Sequence, residues 1–167
     1  MMKDKASILI VDDDANIRET LETILQQKGY NTDIAKNGRE AIKKSKTKFF
    51  NLALLDIKLP DMEGTELLIT IHETIPKMVK IMVTGYPNLE NAVDSLNHGA
   101  DAYVIKPFKT EKLLELIEEK LEKQSQTEKM TQEKLIEWIK TRLRKIEGKK
   151  RAGKLTDKKK TELTMYT

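Results

Sequence analysis

Short, unbroken apolar runs alternate along this chain with longer segments whose apolar residues recur every three or four positions. The runs are Ile8–Val11, a weaker one at Thr32–Ala35, then Leu52–Leu55, Val79–Val83 and Ala102–Ile105. Between them lie helical patterns. Ile17, Leu21, Ile24 and Leu25 share one face, opened by Asp14 as N-cap and stopped at Gly29. Asn37-Gly38-Arg39-Glu40 has the spacing of a capping box and predicts a helix to about Lys46. Glu63–Glu73 and Asn88–Asn97 predict two more helices. A fifth begins near Thr110, with Leu113, Leu114, Ile117 and Leu121 on one face. Strands that are apolar throughout, rather than alternating, suit a parallel sheet covered on both faces. Right-handed crossovers then make it a doubly wound α/β sheet.

Such sheets bind ligands outside the carboxyl ends of their strands. Polar residues follow four of the five runs there: Asp12-Asp13-Asp14, Asp56, Thr84 and Lys106. Any one of them has an ordinary explanation as a cap, a turn or a solvated side chain. Four at one rim do not. Converging carboxylates repel one another and call for a cation. An all-oxygen donor set selects a hard ion, so Mg²⁺ (or Mn²⁺) is expected. Carboxylates, a divalent ion, a lysine and a hydroxyl together suit a phosphoryl group, with one carboxylate able to act as nucleophile.

Composition removes competing chemistries. The chain has no cysteine, hence no disulfide, thiolate metal site or cysteine nucleophile, and only two histidines, His72 and His98. Its net charge of +4 is unevenly spread. Residues 123–167 carry 14 Lys and Arg against 6 Asp and Glu, a net of +8, which leaves 17 basic and 21 acidic residues, a net of −4, for the rest. The basic character belongs to a tail and the acidic character to the body. No apolar run is long enough for a signal-peptide core or a membrane span, and a cytoplasmic location is expected.

The stretches Ile8–Asp14, Leu54–Gly64, Val83-Thr84-Gly85-Tyr86, Gly99–Tyr103 and Lys106-Pro107-Phe108 resemble the receiver domains of two-component response regulators, in order and at that family's spacing. The resemblance covers about residues 5–122. It implies a (βα)₅ fold with strand order 2-1-3-4-5, and Asp56 as phosphoacceptor. It implies Asp13 as a metal ligand, Asp12 acting mainly through water, and Asp56 and the Lys58 backbone carbonyl completing the set. Lys106 would pair with the phosphoryl group across a cis Lys106–Pro107 peptide. Thr84 would hydrogen-bond the group, and Tyr103 would turn inward as an aromatic switch. The implied partners are a sensor histidine kinase or phosphotransfer protein and a downstream protein target. The implied chemistry is phosphotransfer to the chain itself and self-dephosphorylation, not metabolic catalysis. Two rival folds fail on particular residues. Haloacid-dehalogenase-like phosphatases need an acid two residues after the nucleophile, where Lys58 stands. Flavodoxins need a hydroxyl- and glycine-rich loop where Asp12-Asp13-Asp14 would repel a phosphate.

The tail divides into residues 123–147 and 148–167. In the first part Leu135, Ile136, Ile139, Leu143 and Ile146 predict a helix, either separate or continuing the fifth. Gly148 is the expected stop, and the lysine-rich remainder is expected to be disordered. One helix cannot make a helix-turn-helix reader. Contact with a protein, including a homodimer through this helix, is therefore expected ahead of nucleic acid or a membrane surface. Two readings outside this one are a phosphorylation-independent scaffold and a regulator that binds nucleic acid through the basic tail.

Overall fold

The computed structural model describes residues 5–164. Strands β1 (Ser7–Val11), β2 (Asn31–Ala35), β3 (Leu52–Asp56), β4 (Val79–Thr84) and β5 (Ala102–Ile105) alternate with helices α1 (Ala15–Gln27), α2 (Gly38–Thr47), α3 (Gly64–Thr74), α4 (Leu89–Asn97) and α5 (Thr110–Thr164). The five strands form one parallel sheet in the order β2-β1-β3-β4-β5. The α/β class, the strand order and the C-terminal helix are those expected from the sequence.

Period-two geometry explains why the strands are apolar on both sides. Leu9, Val11, Ala53, Leu55 and Met82 pack with Leu67, Leu68 and Ile71 of α3 on one face. Ile8, Ile10, Leu54, Ile81 and Val83 pack with Leu21 and Leu25 of α1 and Leu113 and Ile117 of α5 on the other. Apart from Ala53, burying each of these side chains is worth about 1.5–3 kcal/mol.

Local chemistry sets the helix ends. Asp14 caps α1 by accepting from the N–H groups of Asn16 and Ile17. Gly29, at φ +86°, ends the turn after α1 in a conformation that favours glycine. Asn37 caps α2 by accepting from Glu40 N–H. Asp61 reaches the same helix start and accepts from the N–H groups of Gly38 and Arg39 at 2.8 and 2.9 Å. The β3–α3 loop is thereby tied to α2.

The chain divides into two compact units, the first ending at Gln124 and the second beginning at Ser125. At the end of the first, the Gln124 amide donates to the carbonyls of Asn51 and Lys77. The second is the remainder of α5, exposed from Gln126 through Gly153.

Two expectations for this second unit are corrected. Gly148 does not stop the helix, because a C′ glycine must turn left-handed and only Gly29 and Gly99 have positive φ among the described residues. The segment expected to be disordered is helical as far as Thr164. Its lysines, arginine and alanine are good helix formers, and a mid-helix glycine costs only about 1 kcal/mol. Residues 165–167 lie outside the described residues.

Candidate functional site

Parallel register brings the polar strand ends together. Val11 lies opposite Leu55, Asp56 opposite Val83, and Thr84 opposite Ile105. The next residues, Asp12 and Lys106, therefore emerge at the same rim. Asp12, Asp56 and Thr84 are 3%, 6% and 0% exposed, whereas Asp13 is open to solvent. Carboxylate oxygens of Asp12, Asp13 and Asp56 lie within 4.8 Å of one another.

Lys106 neutralises part of this charge. Its ammonium donates to Asp12 Oδ2 at 2.6 Å and to Asp56 Oδ2 at 3.5 Å. Burial alone would lower its pKa, but the hydrogen bond and charge of Asp12, with Asp56 behind, hold it above the usual lysine range. Asp56 is pushed the other way. Burial and the neighbouring Asp12 charge raise it to about 6, against the opposing pull of Lys106. One lysine is too little charge for this cluster, and the all-oxygen donor set fits a hard divalent cation.

Backbone geometry around Asp56 is tight. A Cβ on Gly64 would stand 2.0 Å from the Asp56 carbonyl oxygen, so only glycine fits there. Lys58 N–H points to Asp56 Oδ1 at 3.4 Å. The Thr84 hydroxyl accepts from Tyr86 N–H at 3.0 Å, and the Lys106–Pro107 peptide is cis. Tyr103 is partly buried against the α3 face of the core. Its hydroxyl is buried with no hydrogen-bond partner among the described residues.

Two further contacts at this rim went unread in the sequence. The Arg18 guanidinium donates to the Asp12 carbonyl at 2.7 Å, pinning the β1–α1 turn. Its signal is a basic residue one helical turn after the cap. The Lys58 ammonium sits 4.4 Å above the Tyr86 ring centroid and links the loops after β3 and β4. Nothing in the local pattern pairs those two residues.

The sheet that carries this rim is that of a known family. Residues 8–118 match the response regulator receiver domain family. The chain belongs to that family. Among curated relatives, the receiver is 36% identical over 113 residues to the transcriptional regulatory protein ZraR of Klebsiella oxytoca, which covers 68% of this chain and 26% of the relative. It is 36% identical over 118 residues to the regulatory protein AtoC of Escherichia coli K12, 71% of this chain and 26% of that one. The chain thus spans about a quarter of the length of these relatives. Among solved structures, a CheY-like receiver domain protein from Methanospirillum hungatei JF-1 is 54% identical, with a TM-score of 0.73 over 74% of this chain and 98% of that one. This is a receiver of the two-component type, and no described helix is long and apolar enough to cross a membrane.

Proposed function

We propose that the receiver is a phosphorylation-dependent switch in which Asp56 takes a phosphoryl group from a phosphohistidine of a sensor histidine kinase or phosphotransfer protein. The observation that carries this reading is the bridge from Lys106 to both Asp12 and Asp56, from three separate strand ends. An Asp56 carboxylate oxygen attacks phosphorus, the phosphorus–nitrogen bond breaks, and the imidazole leaves with the electron pair. Lys106 pairs with a phosphoryl oxygen, and the Thr84 hydroxyl turns from its own loop to hydrogen-bond another. Asp12, Asp13, Asp56 and the Lys58 carbonyl would hold Mg²⁺ (or Mn²⁺), which would neutralise charge on the transferred group. Movement of Thr84 leaves room for Tyr103 to turn inward. Water attacking the same phosphorus later restores the carboxylate and releases inorganic phosphate.

Output then runs through protein–protein contact in the cytoplasm. We take residues 5–122 as the receiver, 123–147 as its helical extension and 148–167 as a basic tail.

The test is intact mass after incubation with a small phosphodonor and Mg²⁺. Wild type should gain one phosphoryl group and Asp56→Asn none. No gain in wild type, or an equal gain in both, would leave a phosphorylation-independent scaffold as the better reading.

A further inference from the structure

The part of α5 in the second unit presents an apolar stripe to solvent. Ile136, Ile139, Leu143 and Ile146 follow one another at intervals of three, four and three, and each is about half exposed. That is the a/d spacing of two heptads, with Ile136 and Leu143 at a and Ile139 and Ile146 at d. Leu135 lies beside the seam at g. Arg142, at the next g, has its guanidinium 5.3 Å from the Trp138 ring centroid one turn back, which holds it on the flank of the stripe.

We propose that this stripe pairs with the same segment of further copies of the chain, in parallel. The flanking charges of a parallel pair are self-complementary. In a parallel pair, g faces the residue five positions on in its neighbour, so Arg142 meets the partner's Glu147 and attracts it. In the antiparallel register that overlaps the whole stripe, Arg142 instead meets the partner's Leu135 and Glu147 meets the partner's Lys140, so exchanging the charges at 142 and 147 separates the two directions. The pairing is bounded on both sides. Upstream, Ser125, Lys129 and Gln132 occupy the d, a and d positions, and Glu128 would face the partner's Glu133. Downstream, Lys150 and Gly153 occupy a and d. Only Leu135–Glu147 can join, so association is weak and concentration-dependent. Isoleucine at d admits three or four strands as well as two.

This goes beyond the phosphoryl chemistry and does not depend on it, since the test reads mass and not modification. The full chain should show concentration-dependent association in sedimentation equilibrium at low salt. Arg142→Glu and Glu147→Arg should each weaken it roughly tenfold, and the two together should restore it to near wild type. Because the chain lacks cysteine, Ile146→Cys reports direction. Two such residues meet at d only in parallel helices, and mild oxidation should link the copies. A chain that stays monomeric at all concentrations overturns the proposal, whether or not it binds anionic lipid vesicles or another protein. Association without charge-swap rescue, or without cross-linking through Ile146→Cys, overturns it as well.

Discussion

Strand β4 buries a charged residue near its start and a polar one at its end, and the two ends of the sheet treat charge differently. Near the start, Lys80 is 1% exposed. Its ammonium donates to His72 Nδ1 at 2.8 Å and to the Pro76 carbonyl at 3.2 Å. Asp101 accepts from Lys80 N–H and donates its own N–H to the Lys80 carbonyl. Gly99, at φ +101°, leaves room for the His72 ring, which a Cβ would strike at 2.4 Å. Burial lowers the Lys80 pKa, and Asp101 only partly opposes it. At the other end, Thr84 joins Asp12, Asp56 and Lys106, where acid outnumbers base and Asp13 stays open. Buried charge by itself does not mark a site. The lysine near the start of β4 gives two of its donors to the protein around it, whereas the rim sets three carboxylates against one lysine.

Four measurements bear on this contrast. The largest effect is expected where the rim is sterically closed: Gly64→Ala should cost about 3 kcal/mol or more in urea unfolding, because backbone and not a flexible side chain must yield. Loss of that glycine with little change in midpoint would mean the β3–α3 loop is looser than its geometry.

Replacing each lysine by methionine sets the two ends against each other. Lys106→Met removes the cation between two buried carboxylates and should cost about 1–3 kcal/mol. Lys80→Met fills similar space and removes a buried charge, so it should stay within about 1 kcal/mol of wild type. Equal losses would erase the distinction.

Asp56→Asn should stabilise the metal-free protein at neutral pH by about 1–2 kcal/mol. A carboxyl held above its ordinary range in the fold binds its proton more tightly than in the unfolded chain. Ionised at pH 7, it therefore costs stability, and the neutral amide does not. A destabilised variant would show that the rim is already balanced.

The smallest effect belongs to a surface counterpart. Burial would raise Asp33, but hydrogen bonds from Lys44 on α2 and from Lys48 just after it outweigh this and lower the pKa to about 2. That stabilisation is complete above the ordinary carboxylate range and is lost as pH falls from about 4 through 2. It should amount to about 1 kcal/mol after solvent screening, and Asp33→Asn should flatten that limb of the acid unfolding curve.

Much of the receiver was legible in the order of residues, because its strands are short, wholly apolar and punctuated. The caps at Asp14 and Asn37 and the turn at Gly29 act through neighbours in sequence, and they stand where they were read. The helix after Gly148 was misread because a glycine stops a helix only if it turns left-handed, which its letter does not reveal. Lys80 was passed over within the run Val79–Val83, since its partners His72 and Asp101 come from α3 and from the turn before β5. Asp61 capping α2 escaped for the same reason, whereas Arg18 holding the Asp12 carbonyl is a contact six residues apart whose signal lay in the sequence.

The sequence by itself determined which residues would stand at the strand ends, through periodicity, and so which chemistry the rim could perform. Tertiary structure alone decided the electrostatics. It set Lys106 between two carboxylates, raised Asp56 by burying it beside Asp12, and closed Lys80 into a pocket where its charge is spent on the protein. Those outcomes depend on distances of a few ångströms between residues tens of positions apart, and only the packed sheet sets such distances.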